Sequence, residues 1–285
     1  MSDPQNKVFL ITGVSSGMGR AFAEAALAAG HVVVGTVRSS AVAAEFEARL
    51  NPTAPGRARA VVFDVTQFDQ AAPLVDNIIR EVGAIDVLVN NAGYGHEGTL
   101  EESPLAEMQR QFDVNVFAAV AMIKAVLPSM RLRRSGHIIN ITSMAGLVGF
   151  PGIAYYASSK FALEGISEAL GKEVKSLGIH VTAFEPGSFR TDWAGRSMVR
   201  SGRSIADYDR VFEPVRRARA AKNGKQAGDP AKAAQALLRV VQEKNPPAHL
   251  VLGSDAVKLV RDKIAALEQE IDTWEVLSRS TDFVD

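Results

Sequence analysis

Val8-Phe9-Leu10-Ile11 runs directly into Thr12-Gly13-Val14-Ser15-Ser16-Gly17-Met18-Gly19, and an alanine-rich stretch follows from Arg20 to Ala29. Four consecutive apolar residues before a glycine cluster read as a buried strand, and the alanine-rich stretch reads as a helix. Glycine at these positions lets the backbone turn tightly and approach a bound group closely. The helix that follows offers free N–H groups and the positive end of its dipole. Gly13, Ser15, Ser16, Gly17, Met18 and Gly19 are therefore candidates for holding an anion. A glycine cluster alone says little; one placed between a strand and a helix at the first such junction suggests a dinucleotide pyrophosphate.

Outward from this junction the same alternation repeats. Candidate strands are Val8–Ile11, His31–Val37, Arg59–Phe63, Val87–Asn90, His137–Thr142, His180–Phe184 and His249–Leu252. Helical stretches lie between them at Met18–Ala29, Ala41–Leu50, Gln67–Glu81, Leu105–Met130, Tyr156–Ser176 and Pro230–Glu243. Strands that are apolar throughout, spaced by helices, indicate a parallel sheet covered on both faces. With right-handed crossovers this predicts an α/β, doubly wound, Rossmann-like domain. With no internal repeat and no linker, the expectation is a single domain over residues 1–285.

Composition narrows the function. The chain carries 32 basic and 32 acidic residues and no cysteine. A formal charge of zero gives no reason to expect nucleic acid or an anionic membrane as partner. Thiolate chemistry, disulfides and cysteine-based zinc sites are excluded. His31, His96, His137, His180 and His249 are scattered with no metal-ligand spacing, so no metal is expected. Residues 1–7 are polar, Val8–Ile11 is too short for a signal core, and the apolar run Val114–Met130 is interrupted by Asn115, Lys124 and Pro128. A cytoplasmic location is expected.

Two segments depart from the alternation. Residues 190–227 lie between a strand and a helix; from Arg190 to Lys225 there are ten basic and four acidic residues. A solvated surface excursion and a lid over the strand ends both fit such a segment. The C-terminal helix, residues 255–279, repeats apolar residues on one side at Val257, Val260, Ile264, Leu267, Ile271, Trp274 and Val276. Packing on its own domain and packing on a second subunit both explain that face.

The second strand ends Thr36-Val37-Arg38-Ser39-Ser40, with no carboxylate before Glu45. An acid there would bind a ribose 2′-hydroxyl, whereas arginine suits a 2′-phosphate. Arg38 therefore predicts NADP, with NAD less favoured. Tyr156 and Lys160 are four residues apart and share a helix face. A free phenol, with a pKa of about 10, is poorly matched to neutral proton transfer, and a nearby ammonium is expected to lower it. Ser143, at the end of a strand, is placed to bond a substrate oxygen.

These separated motifs, in this order, resemble the short-chain dehydrogenase/reductase family over about Lys7 to Thr191. The resemblance implies roles for further residues: Asp64 and Val65 at the adenine, Asn91, Ala92 and Gly93 after the fourth strand, and Pro186, Gly187 and Thr191 at the nicotinamide carboxamide. Tyr156 and Lys160 would also contact the cofactor, and Asn115 would hold a water leading from Lys160 to solvent. The function implied is an NADP-dependent oxidoreductase that interconverts a ketone or aldehyde and an alcohol, with Asn115, Ser143, Tyr156 and Lys160 as the catalytic set. Tyr94, Ser143, Met144, Phe150, Tyr156, Phe189 and Trp193 are the candidate substrate pocket, which suits a hydrophobic molecule. A homodimer or homotetramer is implied, packed through Leu105–Met130 and Tyr156–Ser176. The alternative is an NADP-binding sensor or scaffold with little chemistry.

Overall fold

The computed structural model describes residues 6–283. The polar N-terminal stretch falls largely on residues 1–5, outside the described residues. In chain order the elements are β1 (Val8–Ile11), α1 (Gly17–Ala28), β2 (Val32–Val37), α2 (Ser40–Leu50), β3 (Ala58–Val62), α3 (Ala71–Glu81), β4 (Val87–Asn90), β5 (Gly95–Glu97), α4 (Leu105–Phe112) and α5 (Ala118–Arg133). They continue with β6 (Gly136–Ile141), α6 (Ala154–Val174), β7 (Ile179–Pro186), β8 (Met198–Arg200), α7 (Asp209–Lys222), α8 (Pro230–Gln242), β9 (His249–Leu252) and α9 (Ser254–Arg279).

Seven strands form one sheet in the order β3-β2-β1-β4-β6-β7-β9, every neighbouring pair parallel. Side chains alternate across it. Phe9 and Ile11 face Phe22, Phe46 and Leu237 on one side, while Leu10 faces Val75, Met122 and Leu170 on the other. Both faces are buried under helices, which is why the strands read as unbroken apolar runs. The strand order reverses between β1 and β4. Loops leaving the carboxyl ends of those two strands diverge there and open the crevice where such sheets bind ligands.

The structure adds detail that the sequence pattern lacked. Gly95–Glu97 and Met198–Arg200 pair as a second, two-stranded parallel sheet. These strands are three residues long and their partners lie far apart in the chain, so no local periodicity marks them. Within the excursion, α7 forms on i,i+3 and i,i+4 ion pairs from Glu213 to Arg216 and Arg217 instead of on an apolar stripe. The stretch expected as one helix from Leu105 continues to Arg133 but contains a π-helical turn at Asp113–Phe117. By length and hydropathy Leu105–Arg133 meets the requirement for a membrane span. Its Met122, Ile123, Val126 and Met130 lie in the core under the sheet, as a core helix requires.

Candidate active site

The glycine loop is built by hydrogen bonds to the main chain. The Thr12 hydroxyl accepts from the amides of Asn91 and Ala92, each at 2.9 Å. The Asn91 side-chain amide donates to the carbonyls of Thr12 and Gly13, also at 2.9 Å. Asn91 thus braces the loop after β4 against the loop after β1. Gly13 and Gly17 have φ of 74° and 58°, in the left-handed region. At Gly19 a Cβ would lie 2.3 Å from both the Gly13 carbonyl oxygen and Asn91 Nδ2, so the start of α1 seats against the loop only with glycine there. Ser16 caps α1 without a side-chain bond, and the first turn carries no acid. That leaves N–H groups and the positive dipole end facing the crevice. These residues fit the pyrophosphate of a dinucleotide.

Around this loop the predicted contacts converge in part. Thr191 comes to lie beside the loop: its Cβ is 3.6 Å from where a Gly17 Cβ would sit. Arg38 and Ser40 are exposed at the end of β2, while Ser39 caps α2 by accepting from the Val42 amide at 3.4 Å. Asp64 binds the Thr66 amide and hydroxyl, which holds its carboxyl below its usual range with Arg38 adding to the effect. Val65 is half-buried beside it. Pro186 ends β7, and Gly187 is held by its amide bond to the Leu252 carbonyl at 2.8 Å.

The second group is made of buried side chains. Ser143 follows β6 and caps a short 3-10 turn, accepting from the Ala145 amide at 3.1 Å. Tyr156 and Lys160 sit one turn apart near the start of α6, and both are buried. The Lys160 Nζ donates to the Ile141 carbonyl at 2.8 Å and lies 5.7 Å from the centre of the Tyr156 ring. Trp193 tilts over that ring with centroids 4.9 Å apart, and its buried indole N–H completes no hydrogen bond.

One expectation is reversed here. Burial pushes the Tyr156 phenol up to about 12, and the Ser143 and Trp193 side chains oppose this only in part. Burial also pushes Lys160 down to about 8, against the pull of the Glu164 charge. Helical spacing does bring the ammonium to the tyrosine. Both groups are desolvated, however, and the ammonium bonds a carbonyl of β6. For the phenol, desolvation outweighs what the Ser143 and Trp193 side chains contribute.

Asn115 lies within the π turn, with both ends of its side chain taken. Its Oδ1 accepts from the Tyr94 amide at 3.2 Å, and its Nδ2 donates to the Tyr94 carbonyl and the Ser159 hydroxyl, each at 3.1 Å. A Cβ at Gly93 would lie 3.0 Å from that Oδ1. The Asn115 side chain therefore ties the loop after β4 to α6. Sequence reasoning missed Ser159, which is fully buried and links Asn115 to the Tyr156 carbonyl at 2.7 Å. Its signal was its place inside the tyrosine–lysine spacing. Tyr155 points away, its hydroxyl bonded to the Ser103 carbonyl at 2.7 Å.

Phe150 and Trp193 pack around Ala145, Ile153, Tyr156 and Ala157, and Met144 follows Ser143 half-buried. Tyr94 has a buried hydroxyl without a partner, and burial pushes it up to about 12. Phe189 is placed elsewhere than expected. It packs into the core on the α1 and α8 face of the sheet, against Gly228. A backbone bridge joins Phe189 to Gly228, and its half-buried side chain packs against the α1 and α8 cluster, not against Tyr156.

The cations of the excursion are largely paired. The buried Glu97 of β5 binds Arg200 at 3.2 Å and also Arg219. Glu102 binds Arg203 at 3.2 Å and accepts from the Ile205 amide. Three of these arginines, Arg200, Arg203 and Arg219, thus fasten the excursion to acids of the body. Folding also assembles a cluster that chain spacing did not show: Glu164, Glu185 and His249 bring donor atoms within 4.8 Å of one another. Burial raises both carboxyls, Glu164 to about 7. His249 is desolvated too, but the two carboxylates outweigh that and raise it. Glu164 is one turn beyond Lys160, which is the signal that could have located it.

The family described as "short chain dehydrogenase" matches residues 7–200. The chain belongs to the short-chain dehydrogenase family. Across 275 residues this short-chain dehydrogenase is 36% identical to "Oxidoreductase BOA17" of Botryotinia fuckeliana, covering 95% of the chain and 98% of the relative. It is 38% identical to a "3-ketodihydrosphingosine reductase" of Bacteroides thetaiotaomicron, covering 87% and 88%. The crystal structure of a short-chain dehydrogenase from Streptomyces avermitilis superposes with a TM-score of 0.90 at 38% identity, covering 98% of this chain and all of that one. A family member from Burkholderia phymatum, solved in complex with NAD, superposes at 0.82 with 26% identity, covering 95% and 97%. This short-chain dehydrogenase is an oxidoreductase with a site that fits a nicotinamide dinucleotide.

Proposed function

We propose that this enzyme is an NADPH-dependent reductase that converts a carbonyl on a hydrophobic molecule into an alcohol. The observation that supports this reading is the buried Tyr156 phenol, which burial pushes up, with Lys160 Nζ 5.7 Å from its ring centre. A group that holds its proton at neutral pH is suited to delivering it to an oxygen that becomes an alkoxide. When bound, the nicotinamide dinucleotide supplies the hydride. Tyr156 supplies the proton, Ser143 bonds the same substrate oxygen, and Lys160 keeps a positive charge near the phenol while the Ile141 carbonyl fixes its position. Asn115 and Ser159 set the pitch of α6 against the loop after β4.

Arg38 supports NADP over NAD, since the end of β2 offers a guanidinium and no carboxylate. As the proposed pocket walls, Met144, Phe150, Trp193 and Tyr94 would favour an apolar substrate. Similarity to a reductase named for 3-ketodihydrosphingosine points to a ketone on a long aliphatic chain. In this reading residues 190–227 act as the lid over that chain, and the enzyme works in the cytoplasm.

The test follows NADPH oxidation with aliphatic ketones of increasing length. Turnover should rise with chain length, and Tyr156→Phe should lower kcat by about 10²–10⁴-fold with cofactor affinity unchanged. Full turnover in that variant would remove Tyr156 from the mechanism. Tight NADPH binding with no turnover across the panel would favour the binding-only alternative.

A further inference from the structure

From Arg261 to Arg279 every residue of α9 is exposed. The helix is rooted in the body through Ala256 and Val260 and then runs free for about 28 Å. An isolated helix of this length is marginal in water unless an apolar face is covered. Its apolar face is uncovered: Ile264, Leu267, Ile271, Trp274 and Leu277 are 60%, 46%, 59%, 60% and 60% exposed. With Val260, the residues Ile264, Leu267, Ile271 and Trp274 follow alternating steps of four and three. That is the seam of a coiled coil, with isoleucine at one core position and leucine, valine or tryptophan at the other.

Charge along the arm identifies its occupant. Residues 258–266 contain Lys258, Arg261 and Lys263 against Asp262, whereas 267–275 contain Glu268, Glu270, Asp272 and Glu275 with no cation until Arg279, which pairs with Glu275 at 2.7 Å. A parallel pair of such arms would set like charge against like. An antiparallel pair sets the basic half of each arm against the acidic half of the other, and it also opposes the helix dipoles. We propose that α9 is a self-complementary arm that binds α9 of a second copy of this chain, antiparallel, around a two-fold axis. In the register that packs Ile264 on Trp274 and Leu267 on Ile271, Arg261 of one copy flanks Glu275 of the other at both ends, while Glu268 and Glu270 each meet their own counterparts near the axis.

The absence of native cysteine makes a direct test clean. Under mild oxidation of the full chain, Glu268→Cys should yield a disulfide-linked dimer, and Ala265→Cys, on the outer side of the helix, should stay unlinked. In sedimentation velocity, Ile271→Asp should halve the mass of the assembly, with NADPH binding unchanged. Arg261→Glu should weaken association, and adding Glu275→Arg to it should restore association. A wild-type monomer would overturn the proposal, as would an unchanged mass in Ile271→Asp. Failure of the charge-reversed double variant to recover would overturn the antiparallel register.

Discussion

The two sides of the crevice recognise by different means. On the glycine side nearly everything is main chain: Thr12, Gly13, Asn91 and Ala92 are locked to one another, and the start of α1 presents bare N–H groups. On the tyrosine side the working groups are side chains taken out of water, and burial has moved the pKa of both Tyr156 and Lys160. A site made of backbone is sensitive to added atoms and indifferent to pH. A site made of desolvated side chains should behave in the opposite way.

The largest expected effect lies on the backbone side. Gly19→Ala places a methyl 2.3 Å from the Gly13 carbonyl, so the loop must move. NADPH affinity should fall by about 100-fold or more, since a clash and lost hydrogen bonds of a few kcal/mol act together. Titration calorimetry on the folded variant measures this, and affinity within a few-fold of wild type would break the comparison. Next comes Arg38→Glu, which replaces a charge-assisted contact by repulsion. The preference for NADPH over NADH should drop by about 10–100-fold in competitive binding assays, and an unchanged ratio would remove Arg38 from the site.

The sequence was most informative where one residue faces one requirement. Seven strands and a doubly wound parallel sheet followed from apolar runs and glycine turns. Tyr156, Lys160 and Ser143 stood out by spacing and position. Contacts made only by folding were invisible. β5 and β8 meet across a hundred residues of chain, Phe189 turns into the core because Gly228 receives it, and His249 finds Glu164 and Glu185 from another strand and helix. The direction of the Tyr156 shift was also illegible, because spacing reports neighbours but not how much water is excluded.

The tyrosine side should answer to pH. Lys160 loses its charge as pH rises through about 8, so the reductive kcat should decline there. Lys160→Arg, which keeps its charge, should flatten the decline even if the overall rate is lower. The smallest effect concerns Glu164. Its folded pKa of about 7 lies above its ordinary value, so the native state binds a proton that the unfolded chain releases earlier. The stability from that proton is present in mild acid and is lost as pH rises through about 7. Denaturant midpoints of Glu164→Gln should therefore vary less with pH across that interval than those of the wild type. An identical slope would mean that the Glu164 proton does not carry the pH dependence of stability.

Arg200 and Arg219 both grip the single carboxylate of Glu97. The chain between them is consequently a closed circuit with a fixed neck, and residues added or removed within it leave the neck in place. If residues 190–227 cover the substrate as proposed, changing the length of this circuit would alter what fits beneath it without moving the Glu97 anchor.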